Sequence, residues 1–370
     1  AIDAVAKAAA LAADDPWLHL QLARLQIEAG RPGRAAPAIV AAVASSADDA
    51  GVLAAAARCL ETLSFARPDA ALADAIGRCL ELPGAAQRLT RPALSLLVQA
   101  PEIAELSRRV GAADDAAVMS FWRDGGRGIA DNVLFKSLLR GAVLRDLEFE
   151  ILLTASRRAL LTIVKTDGEL PNAVRDIAAG LARQCHENEF AYAESPAETE
   201  ALADLEAHLR RATESAADDQ VVVLAMYRPI AKLPDDGPPA AEAWHGAAVA
   251  ELIAEFVDAR RLEHQISESL ESMAAVADSV SATVRVQYEE NPYPRWTALD
   301  IAGPPLPLDV AIRRLFPDLP PAPPRSAPPA VLIAGCGTGR QALEAATRYI
   351  GANIIALDLS RASLAYGARK

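Results

Sequence analysis

The chain has 370 residues, of which 52 % are hydrophobic and only 5 % aromatic, and its formal net charge is −12. That length allows two or three domains, and the hydrophobic fraction excludes a disordered chain while implying a core made mostly of Ala, Leu and Val. The negative charge argues against a nucleic-acid backbone or an anionic membrane as the main partner, and no apolar run approaches the roughly 18 residues of a membrane span.

Residues 1–100 repeat with a period near 34: Leu22-Ala23 recurs as Ala56-Ala57, and Arg34-Ala35 as Asp69-Ala70. Trp17 to Ala29 reads as an amphipathic helix, Gly30 to Gly33 as a turn, and Arg34 to Ser45 as the antiparallel partner. Small residues at Ala23, Ala35 and Ala42 let the two helices approach closely. This pattern resembles tetratricopeptide repeats, whose unit is about 34 residues; the second unit departs from it, with Phe65-Ala66-Arg67-Pro68 where a glycine turn is usual. Such repeats bury a face only by stacking. Two uses stay open, a concave groove that binds a peptide and a helical spacer that only extends the body.

From Pro101 to Ala282 the pattern stays helical without a clear repeat. Asn132 to Val164 carries a helical stripe of Leu134, Leu138, Leu139, Val143, Leu144, Leu147, Ile151 and Leu152. Asn172 to Tyr192 forms another helix. Val221 to Leu224 is β-branched enough for a strand but reads as helix because Ala225-Met226-Tyr227 continues it. Pro234 to Pro239 is a loop, and Glu242 to Glu290 is helical again with a break near Ile266 to Met273.

Val286 to Trp296, VQYEENPYPRW, follows. In so aromatic-poor a chain, Tyr288, Tyr293 and Trp296 stand out together with Arg295. As a lid, the aromatic faces would stack on adenine or on a sulfonium cation, and the arginine would grip a carboxylate. As packing, the aromatics fill a corner where the helix stops, and Arg295 pairs with Glu289 or Glu290. Ten of the 25 prolines then lie between Pro304 and Pro329, around a short helix from Leu308 to Leu315. This reads as a linker, with an SH3-type ligand as the other possibility.

The stretch Val331 to Gln341, VLIAGCGTGRQ, runs from a short apolar strand into Gly335, Gly337 and Gly339, then into a helix, then into a second strand, Asn353 to Leu357, ending at Asp358. This is the opening β-turn-α-β of a nucleotide-binding sheet, with glycines that let a ligand lie against the backbone and an acid placed for ribose hydroxyls. A dinucleotide reading, G-x-G-x-x-A from Gly337, starts two residues after the strand end. Counted from the strand itself the loop is G-x-G-x-G, which resembles motif I of class I methyltransferases that use S-adenosylmethionine. By that resemblance the loop approaches the methionine part of the cofactor and Asp358 holds the ribose. Ala334 stands where many members carry an acid. A glycine turn with no ligand is the plain alternative.

Together, ARQCHENEFAYAES (182–195), AMYRPI (225–230), QYEENPYPRW, LIAGCGTGRQ and ALDLSRASLAYGARK look like a family of bacterial tetratricopeptide-repeat methyltransferases, from about Leu147 to Lys370. The resemblance brings no acceptor substrate.

Other clusters promise less. Cys59, Cys79, Cys185 and Cys336 show no metal or redox spacing, so a reducing, cytoplasmic setting is expected. His19, His186, His208, His245 and His264 are scattered, and no metal site is expected. Cys185, His186 and Glu187 are helix neighbours that point in different directions. Asp114-Asp115, Asp218-Asp219 and Asp235-Asp236 read as solvated loops or helix starts.

The expected fold is therefore mainly α: tetratricopeptide-like helical repeats (1–100), a helical domain ending in the QYEENPYPRW strip (101–300) and a Pro-rich linker (301–329). The first β-α-β of an α/β Rossmann-like methyltransferase domain follows (330–370). Expected cofactor residues are Gly335, Cys336, Gly337, Thr338, Gly339 and Asp358, with Tyr288, Tyr293, Arg295 and Trp296 as the lid. Both ends read as cut within helices, so acceptor-site residues are expected beyond Lys370 and little activity from this stretch alone. The expected function is S-adenosylmethionine-dependent methyl transfer to an unidentified acceptor, a protein or a small molecule, with the repeats recruiting a partner or substrate. An NAD-binding oxidoreductase and a non-catalytic scaffold with a vestigial nucleotide-binding domain are the alternatives.

Overall fold

Alanine-rich, aromatic-poor sequence favours helix, and in the computed structural model the described residues are mainly helical. Residues 1–211, 218–230, 246–271, 279–296, 298–299, 305–320 and 327–370 are described. The loop expected at Pro234 to Pro239, Asp235-Asp236, His245 and the prolines at 321–324 lie outside them. The chain divides into two compact units, Ala1–Ala254 and Glu255–Lys370.

The first unit contains α1 (Ile2–Leu11), α2 (Pro16–Glu28), α3 (Pro32–Ala44), α4 (Ala50–Leu60), α5 (Ala70–Leu80), α6 (Ala85–Leu97) and α7 (Pro101–Gly111). It continues with α8 (Asp115–Arg123), α9 (Val133–Gly141), α10 (Leu147–Asp167), α11 (Arg175–Glu187), α12 (Pro196–Arg211), α13 (Asp218–Ala225) and α14 (Ala247–Ile253). Short polar side chains start many of these helices by accepting from otherwise unpaired N–H groups. Asp15 accepts from Trp17 N at 2.9 Å, Asp49 from Val52 N at 2.9 Å and Asp69 from Leu72 N at 3.0 Å. Asp114 caps α8 in the same way, and Asp218-Asp219 open α13.

Helices α2, α4 and α6 form one packed row, while α3, α5 and α9 form another against it. Ala23, Ala35 and Ala42 are fully buried in the α2–α3 seam. The long turn after α4 is tied to α6 by Phe65 N donating to Ser95 Oγ at 3.0 Å and by an Arg88–Glu61 ion pair at 3.0 Å.

The stripe from Asn132 to Val164 is not one helix. It breaks at 142–146 between α9 and α10. Gly141 lies so close to α6 that a Cβ there would meet the Ala86 Cβ at 2.7 Å. The freed backbone of the break is taken up by side chains: Val143 N donates to Gln87 and Leu144 N to Gln184. The helix read from Asn172 to Tyr192 is also shorter, a 3-10 turn (Asn172–Val174) followed by α11, because Glu189 and Phe190 take positive φ and turn the chain. Val221 to Leu224 is helical as read, and all four side chains are buried, so packing outweighs β-propensity there.

Arg157, only 1 % exposed, organises the end of this unit. It donates to Ala193 O at 2.6 Å and to Tyr192 O at 3.3 Å, and its guanidinium lies 4.0 Å from the Tyr227 ring centroid. The Tyr227 hydroxyl donates to Glu198 at 2.7 Å. The ARQCHENEFAYAES and AMYRPI segments thus meet around one buried cation. Cys185 belongs to this packing; burial pushes its thiol up to about 12.

The second unit contains α15 (Ala259–Ser269), α16 (Ser279–Glu290), β1 (Leu306–Pro307), α17 (Leu308–Leu315), β2 (Ala330–Ala334), α18 (Arg340–Arg348), β3 (Tyr349–Ile350), β4 (Asn353–Leu357) and α19 (Arg361–Arg369). Strands β2 and β4 are parallel, with Leu332 opposite Ile355, and α18 connects them; β1 and β3 form a second, two-residue parallel pair. Helices α15 and α16, read from sequence as part of the helical middle, pack on α19. Helix α18 packs on β4, while Leu332 and Ile355, opposite each other in the pair, stay exposed. Among the described residues no helix is long and apolar enough to cross a membrane.

Candidate functional site

Beyond Ala334 the chain must turn sharply to begin α18, and Gly335, Gly337 and Gly339 do so with φ of +69°, +53° and +78°. Left-handed φ is costly for residues with a Cβ. The loop holds itself together. Gly335 N and Cys336 N both donate to Leu357 O, at 2.8 and 3.0 Å, and Gly339 N donates to Cys336 O at 3.0 Å. Gly337 N donates to Asp358 Oδ2 at 2.7 Å, while Asp358 Oδ1 accepts from Ser360 N at 2.9 Å. The acid at the end of β4 therefore ties the two strand-end loops together, and each oxygen keeps a lone pair for a ligand hydroxyl.

The strip after α16 braces both loops. The Tyr293–Pro294 peptide is cis. Trp296 Nε1 donates to Thr338 O at 3.1 Å, Thr338 Oγ1 donates to Pro294 O, and the Tyr366 hydroxyl donates to Trp296 O at 2.6 Å. The Trp296 and Tyr366 rings meet edge to face at 5.9 Å. On the other loop, Ser360 Oγ donates to Tyr288 O at 3.0 Å. Glu289 accepts from Arg361 N at 2.8 Å and Ala362 N at 3.0 Å, so a carboxylate from α16 caps α19, where helix dipole and charge agree.

A cleft of about 700 Å³ opens between these parts. One wall is Gly335, Cys336, Gly337 and Asp358, with Leu359 and Leu364; Tyr288, Tyr293 and Arg285 stand on α16 and the strip. Tyr293 is 59 % exposed and Tyr288 36 %. Of the ten residues singled out from sequence, six line the cleft: Gly335, Cys336, Gly337, Asp358, Tyr288 and Tyr293. The other four have different positions. Thr338 is fully buried, and Gly339 packs on Gly367, whose Cα lies 3.3 Å from where a Gly339 Cβ would be. Trp296 is 7 % exposed and is a brace for the loop rather than a lid over it, because its indole N–H needs a partner once buried. Arg295 is half-buried, outside the cleft lining. The Arg260 guanidinium is held below its ordinary pKa by burial first and by the Arg295 charge second.

Burial pushes the Cys336 thiol up, and the Asp358 carboxylate adds to this, so it is a neutral small side chain in the cleft wall. Among the described residues no group of three His, Cys, Asp or Glu side chains is arranged to hold a metal ion. Sequence reasoning missed Ser360 and Tyr366, and it took Glu289 only as an ion-pair partner for Arg295, not as the cap of α19. Ser360 had a signal, since a serine before a helix is a common cap; Tyr366 and the capping role of Glu289 act across 70 residues or more and had none. Comparison with protein-family models, with curated proteins and with solved structures gives no match.

Proposed function

We propose that the second unit is the S-adenosylmethionine-binding part of a class I methyltransferase, with β2-α18-β4 as the start of a Rossmann-like sheet. The observation that carries this is the cleft in which Gly335 to Gly337 and Asp358 face Tyr288 and Tyr293. Its volume, about 700 Å³, lies within the usual range for small-molecule sites, ~300–1,000 Å³. No heavy atom beyond its chain neighbours lies within 4 Å of where a Gly335 Cβ would be, so the backbone there is open to a ligand. Asp358 would accept from ribose hydroxyls, and the two tyrosine faces with their π density suit a cationic sulfonium. When bound, the cofactor supplies an electrophilic methyl group. The chain's own part is to orient it and exclude water.

Two features favour this cofactor over a nicotinamide dinucleotide. The N–H groups of Gly335, Cys336 and Gly337, which a pyrophosphate would use, already donate to Leu357 O and Asp358. The opening N–H groups of α19, where the 2′-phosphate of NADP would sit, are taken by Glu289, which disfavours NADP and leaves NAD to be judged on the first feature. The four cysteines are free thiols, in keeping with a reducing, cytoplasmic setting. The paired rows of α2 to α6 support reading residues 1–100 as tetratricopeptide-like repeats that recruit the acceptor or a partner.

Calorimetry with S-adenosylhomocysteine and with NAD tests the reading. Binding of S-adenosylhomocysteine, abolished in Asp358→Ala, is the expected result. Binding of NAD without any response to S-adenosylhomocysteine would overturn it.

A further inference from the structure

In a chain of net charge −12, arginines without carboxylate partners gathered on one surface need a reason. The row of α2, α4 and α6 carries such a surface. A hollow of about 520 Å³ lies against α2 and α4; its lining includes Trp17, Leu20 and Ile27 together with Arg24, Arg58 and Glu28. Trp17 is 55 % exposed, a high value for so large an apolar ring. A second hollow, about 460 Å³, lies over α6 and is lined by Arg88, Arg91 and Arg145, with Ser64, Thr90 and Asp146 among the other residues. The loop after α4 borders both, through Thr62 and Ser64.

Glu28 and Asp146, which line the same hollows, and Glu61 are already engaged. Glu28 pairs with Arg24 at 3.2 Å and Glu61 with Arg88 at 3.0 Å. Asp146 caps α10, accepting from Glu148 N at 3.0 Å and Phe149 N at 3.2 Å. Arg58, Arg91 and Arg145 make no ion pair among the described residues. Arg24 and Arg58 converge on Cys59, whose thiol is pushed up by burial and drawn back by both charges.

We propose that this face is a docking groove for an acidic peptide segment, with an apolar anchor seated beside Trp17 and carboxylates received by Arg58, Arg91 and Arg145. Guanidinium forks match carboxylates in geometry as well as charge. A small anion alone would leave the apolar hollow unused. A nucleic acid would meet the field of a strongly negative chain, which repels a polyanion at long range and admits only local contact. A peptide with few acidic residues suffers less from that field and fills both hollows. The inference rests on reading residues 1–100 as recruiting repeats and names the chemistry of what they recruit; it does not depend on the methyl-transfer reading of the second unit.

The test is fluorescence anisotropy on the full chain, with a labelled peptide of two leucines followed by four glutamates. Binding should weaken as salt rises. Arg91→Glu with Arg145→Glu should lower affinity at least ~10-fold, because attraction becomes repulsion. Trp17→Ala should weaken binding without changing its salt dependence. Arg91 and Arg145 are exposed, so the variants should keep their far-ultraviolet circular dichroism, and the milder pair Arg91→Gln with Arg145→Gln should give an intermediate loss. Equal affinity for the glutamine version of the peptide, or an unchanged affinity in the double reversal, would overturn the proposal. So would tighter binding of a short single-stranded RNA than of the acidic peptide.

Discussion

Two glycines of the second unit separate the open ligand wall from the packed back of the same loop. At Gly335 an added Cβ meets nothing within 4 Å, so Gly335→Ala costs only the strain of a left-handed φ of +69°. That is about 1.5 kcal/mol, or about a 6 °C fall in melting temperature for a domain of this size. At Gly367 an added Cβ would stand 2.8 Å from Thr338 O, 3.2 Å from Thr338 C and 3.3 Å from Gly339 Cα. All three are backbone atoms, and Thr338 is itself held by Trp296 and Pro294. Nothing there can rotate away, so Gly367→Ala should cost about 3 kcal/mol and lower the transition by about 12 °C. Binding should follow a different order. Relative to its small stability loss, Gly335→Ala should lose most S-adenosylhomocysteine affinity, since the new methyl group stands on the cleft wall. Thermal unfolding followed by circular dichroism, with calorimetry well below the transition, measures both. The reasoning fails if Gly335→Ala unfolds at or below the temperature of Gly367→Ala, or if it binds S-adenosylhomocysteine as the parent does.

Three other outcomes are expected. Trp296→Phe removes the indole donor to Thr338 O and leaves a buried carbonyl unpaired; it should cost about 1–3 kcal/mol in urea unfolding and weaken S-adenosylhomocysteine binding although Trp296 does not line the cleft. Glu289→Ala removes the cap from α19 and should cost about 1–2 kcal/mol, with part of the loss disappearing at high salt. Glu198 should shape the acid limb of stability. Burial raises its pKa, but hydrogen bonds from Ser195 and Tyr227 and the Arg157 charge outweigh this and hold it below the ordinary 4.5. A depressed carboxylate pKa gives stability that is present above the unfolded value and lost as pH falls through the folded one. Unfolding should therefore become easier on acidification below about pH 4.5, and Glu198→Gln should flatten that part of the profile while lowering stability at neutral pH.

Local signals carried much of this molecule. Helices α2 and α3 were legible because the Gly30–Gly33 turn and the small residues at 23, 35 and 42 act within one hairpin. The glycine loop and Asp358 were legible for the same reason, since strand, turn and helix follow one another along the chain and the register depends on immediate neighbours. The Leu308–Leu315 helix lay between prolines that cannot enter a helix. Each of these rests on constraints within a few residues, which sequence states directly.

What tertiary structure decided involves residues far apart along the chain. The break between α9 and α10 depends on Gly141 meeting Ala86, and its stray amides on Gln87 and Gln184. Whether Trp296 covers a ligand or braces a loop depends on Thr338 and Tyr366 standing beside it. Aromatic residues suit both roles, and only burial separates them. The same holds for charge. Composition determined a net of −12, but the arginines at 58, 91 and 145 come onto one face only when the helices stack, because a sum over residues carries no information about which of them become neighbours.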